Sequence, residues 1–168
     1  ARLGDYIDRV VMMGGKFDAL WDKLPFADFN IGADPYAVSA ALKSGVRVDF
    51  VAMNTTWPIM LTYDDVMALA PQTELARHAQ DIMVAHCRDF SPEPVFRFHD
   101  PAVMVVLKHP EWFQPCCLNI DLAMDGAMFG RLIGCADGRA DNAALLALDD
   151  VQSDGIKTSL LKTLGFTV

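Results

Sequence analysis

Residues 7–15 read IDRVVMMGG, and the fold turns on how this run is read. It is a short apolar stretch rich in β-formers, closed by two glycines, and it has the composition of a buried parallel strand. Outward from it the chain alternates. Residues 16–33 read as a loop, with Pro25 and scattered aromatics. Asp34–Pro35 then opens a helix, since Asp is a favoured N-cap and Pro a favoured first helical residue. Ala37, Val38, Ala40, Ala41 and Leu42 supply its apolar face, and Gly45 is a natural stop. Residues 46–53 (VRVDFVAM) are the next strand. Thr62 begins a short helix with Asp65 as its capping-box partner.

Residues 73–90 predict a longer amphipathic helix whose core stripe is Leu75, Ala79, Ile82, Met83, Val84 and Phe90. A Pro-rich break, SPEP at 91–94, follows. Asp100–Pro101 repeats the cap-and-proline signal and opens a helix to about Leu107. Two further strands are expected at 118–124 and 144–148, pairing with each other as a hairpin. A closing helix over 153–164 places Ile156, Leu160, Leu161 and Leu164 on one face. Strands alternating with helices predict an α/β fold: an open, mostly parallel sheet with flanking helices and a mixed edge. Linker signals are weak, so a single domain over 1–168 is expected.

The bulk numbers set limits. With 168 residues, 52% of them hydrophobic and 21% charged, the chain can bury a sizeable core. A net charge of −8 offers no basic face for phosphates, which argues against a nucleic-acid partner. No apolar run approaches the roughly 18 residues of a membrane helix. The first residues, ARLGDYIDR, carry charges and no hydrophobic signal core. Cys87, Cys116, Cys117 and Cys135 form no CxxC pair. Reduced cysteines in a cytoplasmic protein are therefore expected. The chain begins with Ala1 rather than Met, and a strand follows almost at once, so it reads as if entered midway through a fold.

Two constellations carry chemistry. Asp22, Asp28 and Asn30 lie after the C-terminal end of a strand, where open α/β sheets bind ligands. Two carboxylates and an amide suit the hydroxyls of a sugar, although loops are commonly polar for no such reason. The second is His99–Asp100. As bland readings, Asp100 is a helix cap and His99 a satisfied histidine. The functional reading is a general acid beside a metal-binding carboxylate, because imidazole donates protons near neutral pH and a helix N-terminus favours an ionised carboxylate. Met12, Met13, Met53, Met67 and Met83 read as core filler. Trp57, Trp112 and Phe113 suit either a base pocket or aromatic core.

Taken in order, VVMMGG, then a loop with Pro25, then ADFNIGADPYA at 27–37, and later FHDPAVMVVLKHPEWF at 98–113, the chain resembles the inosine-uridine preferring nucleoside hydrolase family. The resemblance runs through nearly all of the sequence. It implies a nucleoside hydrolase-like fold and hydrolysis of the N-glycosidic bond of ribonucleosides with a calcium cofactor. By position it implies that Asp22, Asp28 and Asn30 bind ribose, that His99 protonates the leaving base and that Asp100 is a calcium ligand. Asp22 stands where the family has Asn, and Asp28 where it has Glu one methylene longer. The Asp-rich strand end of the type DxDxGxDD, with which the family begins, does not occur in these residues. Calcium takes roughly six to eight oxygens, and this chain offers one expected carboxylate.

The expectation is thus the C-terminal portion of an incomplete nucleoside hydrolase-like fold, which needs an N-terminal segment for calcium and water activation. Its partner would be a ribonucleoside or related sugar-containing ligand. The alternative is a non-catalytic truncated relative that binds a sugar or nucleoside, or that oligomerises with copies of itself.

Overall fold

The structure, a computed structural model, describes residues 3–15, 29–117, 120–134, 143–147 and 150–168. Strand β1 is Arg9–Met13. A single turn, α1 (Phe29–Ala33), leads into α2 (Pro35–Lys43). The Asp34 side chain accepts from Ala37 N at 3.0 Å, which satisfies one of the amides that a helix start leaves unpaired. Helix α2 stops at Gly45, whose φ of +81° suits a residue without a Cβ. Then come β2 (Arg47–Val51), α3 (Met53–Thr56), β3 (Met60–Thr62), α4 (Tyr63–Ala68) and β4 (Ala70–Pro71). At α4 the capping box is complete: the Asp65 carboxylate accepts from the Thr62 amide and hydroxyl, and the Asp65 amide donates back to the Thr62 hydroxyl.

Helix α5 (Glu74–Ala85) ends in a π-helical turn, His86–Phe90. β5 (Val95–Arg97) runs into α6 (His99–Lys108). β6 (Gln114–Cys117), β7 (Ile120–Leu122), β8 (Leu132–Gly134), β9 (Ala143–Ala147), α7 (Asp150–Leu164) and β10 (Phe166–Thr167) complete the chain.

The chain divides into two compact units, Ala1–Thr55 with His109–Leu148 and Thr56–Lys108 with Asp149–Val168. The first holds a four-stranded sheet in the order β1-β2-β9-β6. β1 pairs parallel with β2, and β2 parallel with β9, while β6 joins β9 antiparallel with a bulge between Pro115 and Cys117. The open, mostly parallel sheet with a mixed edge is therefore present, but its antiparallel partner differs from the expected one. The strand at 143–147 pairs with 114–117, and 120–122 forms a separate hairpin with 132–134. Val48, Phe50 and Ala52 pack beneath Val38 and Leu42 of α2 and against Ile120, Leu122 and Leu132. Phe50 is fully buried, which contributes about 1.5–3 kcal/mol relative to exposure. Among the described residues, the one carboxylate buried in this unit's strands, Asp49, is held by Arg47 at 2.8 Å and Arg9 at 3.3 Å.

The second unit is mainly helical. Val66, Ala76, Met83, Cys87, Phe98, Val105 and Ile156 are buried in it. The stripe of α5 is narrower than the sequence predicted. Ala76, Met83 and Cys87 face inward, whereas Leu75, Ile82 and Phe90 are exposed. Spacing alone does not tell which of two adjacent apolar rows meets a neighbour, and here the row carrying Ala76 packs because a small side chain admits close approach. Met67 is likewise exposed rather than core filler. Burial pushes the Cys87 thiol above its ordinary pKa, and that cysteine is free. Gln80 closes the end of α4 by donating to Val66 O at 2.7 Å and Leu69 O at 3.1 Å. Gly165 permits the turn into β10: its φ is +95°, and a Cβ there would lie 2.7 Å from the Thr73 hydroxyl. No helix among the described residues is long and apolar enough to cross a membrane.

Candidate functional site

Each unit has its own group of polar side chains. In the sheet unit they gather at the C-terminal ends of the parallel strands. Gly14 N donates to Val51 O at 3.2 Å and Met53 N to Gly15 O at 2.9 Å, so the two strand ends remain zipped beyond the ladder. Gly15 adopts φ +94°, which explains a glycine at the point where β1 turns away. Thr55 donates its hydroxyl to Leu146 O at 2.5 Å, tying the next strand end into the same rim. Asn30 donates from Nδ2 to Met13 O at 3.1 Å and to Met13 Sδ at 3.2 Å. It is exposed and lies in α1 rather than in a loop as expected, because the short turn is completed before Asp34 starts α2. Asp22 and Asp28, the other two expected sugar contacts, lie outside the described residues.

In the helical unit the organising element is a strand pair that the sequence hides. β3 and β5 run antiparallel, with Met60 opposite Arg97, and Phe98 N donates to Ile59 O at 2.9 Å. Continuing that register beyond the strands brings the turn at 56–58 alongside His99. There, Thr56 Oγ1 and His99 Nδ1 are 2.6 Å apart. The Trp57 ring lies 6.2 Å from the imidazole, tilted by 44°. The Arg97 guanidinium sits 3.9 Å above the Trp57 ring centroid, a cation–π contact, and its Nη2 bonds Glu93 at 2.9 Å.

This setting acts on the proton affinity of His99. Burial lowers its pKa first, since a half-buried cation loses hydration. The positive charge of Arg97 lowers it further, and Asp100 partly opposes both. A lowered pKa makes the protonated imidazole a stronger acid and leaves the neutral form dominant at neutral pH. Asp100 is exposed. It sits inside the first turn of α6, which starts at His99, so it is not the N-cap expected from Asp100–Pro101. The β5 strand feeds the chain into the helix one residue early.

Other candidates have structural explanations. His109 stacks on Trp112 with centroids 4.1 Å apart and bonds Glu111 at 3.2 Å. His86 packs edge-on to Phe96. Phe113 is buried. A recess of about 130 Å³ lined by Ile82, Met83, Phe96, Phe98, Pro101 and Leu164 among others exposes no polar surface and does not suit a polyhydroxylated sugar. Among the described residues no group of three or more His, Cys, Asp or Glu side chains could hold a metal ion.

Sequence reading singled out His99 but not Thr56 or Arg97, and it left Trp57 open between pocket and core. The only sequence signal for Thr56 and Trp57 is the order Thr-Thr-Trp-Pro after a strand, and its meaning depends on the β3–β5 pairing, which the Pro-rich 91–94 segment disguised.

A sequence model of the family described as inosine-uridine preferring nucleoside hydrolase matches residues 1–157. The non-specific ribonucleoside hydrolase RihC of Shigella boydii is 29% identical over 149 residues, covering 86% of this chain and 48% of that protein. A probable uridine nucleosidase 1 of Oryza sativa subsp. japonica is 33% identical over 114 residues, or 64% of this chain and 34% of its own length. The chain thus spans about half or less of these relatives. Among solved structures, a purine-preferring ribonucleoside hydrolase from Gardnerella vaginalis superposes with a TM-score of 0.66 at 18% identity, covering 95% of this chain and 51% of that one. At that identity the likeness speaks for the fold.

Proposed function

The chain belongs to the inosine-uridine preferring nucleoside hydrolase family, and from that premise we propose that it forms part of a nucleoside N-ribohydrolase. It would contribute the sugar-contacting side chains and the acid that protonates the departing base. The observation that carries this reading is His99. It stands where the family has its acid, half-buried, with Nδ1 held by Thr56 at 2.6 Å and its pKa lowered by burial and by Arg97.

On this reading the bond cleaved is the N-glycosidic bond of a purine or pyrimidine ribonucleoside. As it lengthens, negative charge develops on the base, and an acid poised at a base nitrogen removes it; such a group typically contributes 10²- to 10⁴-fold in rate. Asn30, with Asp22 and Asp28, would engage ribose hydroxyls. Asp100 would be one ligand of a calcium ion whose remaining ligands, together with the activation of water, come from elsewhere in the assembled enzyme. Calcium would supply the charge that holds ribose hydroxyls and activates water. A cytoplasmic location accords with the free, buried Cys87.

The test is to combine this chain with the N-terminal half of a family member and calcium, and to follow cleavage of inosine and uridine. Cleavage is expected, and His99→Ala should lower it by about 100-fold or more with the fold unchanged. No cleavage at any pH sinks the proposal.

A second reading is favoured by one observation: β1 lies at the edge of its sheet among the described residues. A strand edge with unpaired backbone groups invites pairing. A non-catalytic relative would use it to bind a second copy of itself. Light scattering decides here, since a monomer at all concentrations removes the oligomeric alternative.

A further inference from the structure

The contact between Thr56 and His99 has a consequence for which ring nitrogen does the work. We infer that Thr56 is the positioning residue for His99: its buried hydroxyl occupies Nδ1 and reserves Nε2 as the nitrogen that meets a ligand. The inference rests on His99 serving as the acid proposed above. At 2.6 Å the Thr56 Oγ1–Nδ1 pair is a short hydrogen bond. Among the described residues it is the only hydrogen bond the His99 side chain makes, so Nε2 is not committed elsewhere. Thr56 is fully buried and β-branched, which restricts its χ1. Its hydroxyl is consequently a fixed partner rather than a rotating surface group.

An imidazole needs such a partner. Its two nitrogens exchange the proton between tautomers, and which one carries it is set by what the other bonds. A hydroxyl suits both protonation states, because it can accept from Nδ1–H or donate to a bare Nδ1. A ring turned by half a revolution would give up this bond and present carbon to Thr56. The same antiparallel register that brings residues 56–58 beside His99 thereby selects the ring orientation. Trp57 at 6.2 Å flanks the ring without competing for a nitrogen.

The experiment is nitrogen-15 NMR of the His99 side chain in the full chain, without nucleoside, on wild type, Thr56→Val and Thr56→Ser. Wild type is expected to show one tautomer, with Nδ1 shifted by its hydrogen bond. Thr56→Val preserves shape but removes the bond, and both nitrogens should move to the averaged positions of a solvent-exposed imidazole. Thr56→Ser should restore the wild-type pattern. If Thr56 merely filled buried space, valine would leave both nitrogens unchanged, and that result overturns the inference. Should the valine variant not fold, the wild-type spectrum decides alone, since averaged tautomers there overturn it equally. No hydrolysis is measured, so this result and the cleavage test can fail independently.

Discussion

The sheet unit and the helical unit each place an ionisable side chain away from water, and they treat it oppositely. Asp49 lies on β2 with 1% of its side chain exposed, between Arg47 and Arg9. Every charge it carries is answered. His99 is half-buried, has one hydroxyl at Nδ1, and faces a cation, Arg97, that opposes its protonation. A charge matched on both sides has no work left to do and holds two strands in register. An imidazole bonded through one nitrogen, with a cation beside it, is held mostly neutral, and its protonated form is a stronger acid. The difference separates a structural ion pair from a candidate chemical group.

The sharpest way to break this contrast is to strip Asp49 of both partners. The double variant Arg9→Ala/Arg47→Ala leaves a buried carboxylate unpaired and should cost about 3–5 kcal/mol in urea unfolding. A loss below about 1 kcal/mol, the scale of an exposed pair, would show that Asp49 reaches water and that the two units do not differ in this way.

The next largest effect probes the helical unit. Met83→Ala opens a cavity and should cost about 2–5 kcal/mol, whereas Leu75→Ser, on the exposed row of the same helix, should stay within about 0.5 kcal/mol. Equal losses would mean that both rows are packed.

The smallest effect is a surface charge that belongs to neither class. Thr62→Ala removes the cap of α4 and should cost about 1 kcal/mol at neutral pH. The hydroxyl and amide of Thr62 hold the Asp65 pKa below the ordinary carboxylate value. The contribution of Asp65 is therefore present above that ordinary value and is lost as pH falls through the lowered one. Thermal melts of both proteins should converge as the solution is acidified; a gap that persists undiminished would assign the effect to the hydroxyl alone.

Much of this was legible in the order of residues. Local signals announced α2 through Asp34–Pro35 and Gly45, α4 through Thr62 and Asp65, and the strands at 9–13 and 47–51. These features depend on a few neighbouring residues, so they survive without knowledge of the partner. The family motifs around 27–37 and 98–113 likewise identified the family. The pairing of 114–117 with 143–147 was not legible, because any apolar strand can pair with any other until tertiary packing chooses. Nor was β5, whose three residues sit beside prolines and gain their conformation from β3. The first turn of α6 shifted by one residue for the same reason, and Asp100 lost its expected place as cap.

The sequence by itself settled which residue types carry chemistry and roughly where helices and strands begin, since caps, glycines and apolar runs act over a single turn or strand. Only the tertiary structure decided what stands beside His99. Thr56 and Trp57 reach it through an antiparallel pairing of two three-residue strands. Such a contact joins positions some forty residues apart, and no local preference encodes it; it forms because burying Ile59 and Phe98 together and pairing their backbones outweighs the entropy of closing the loop between them.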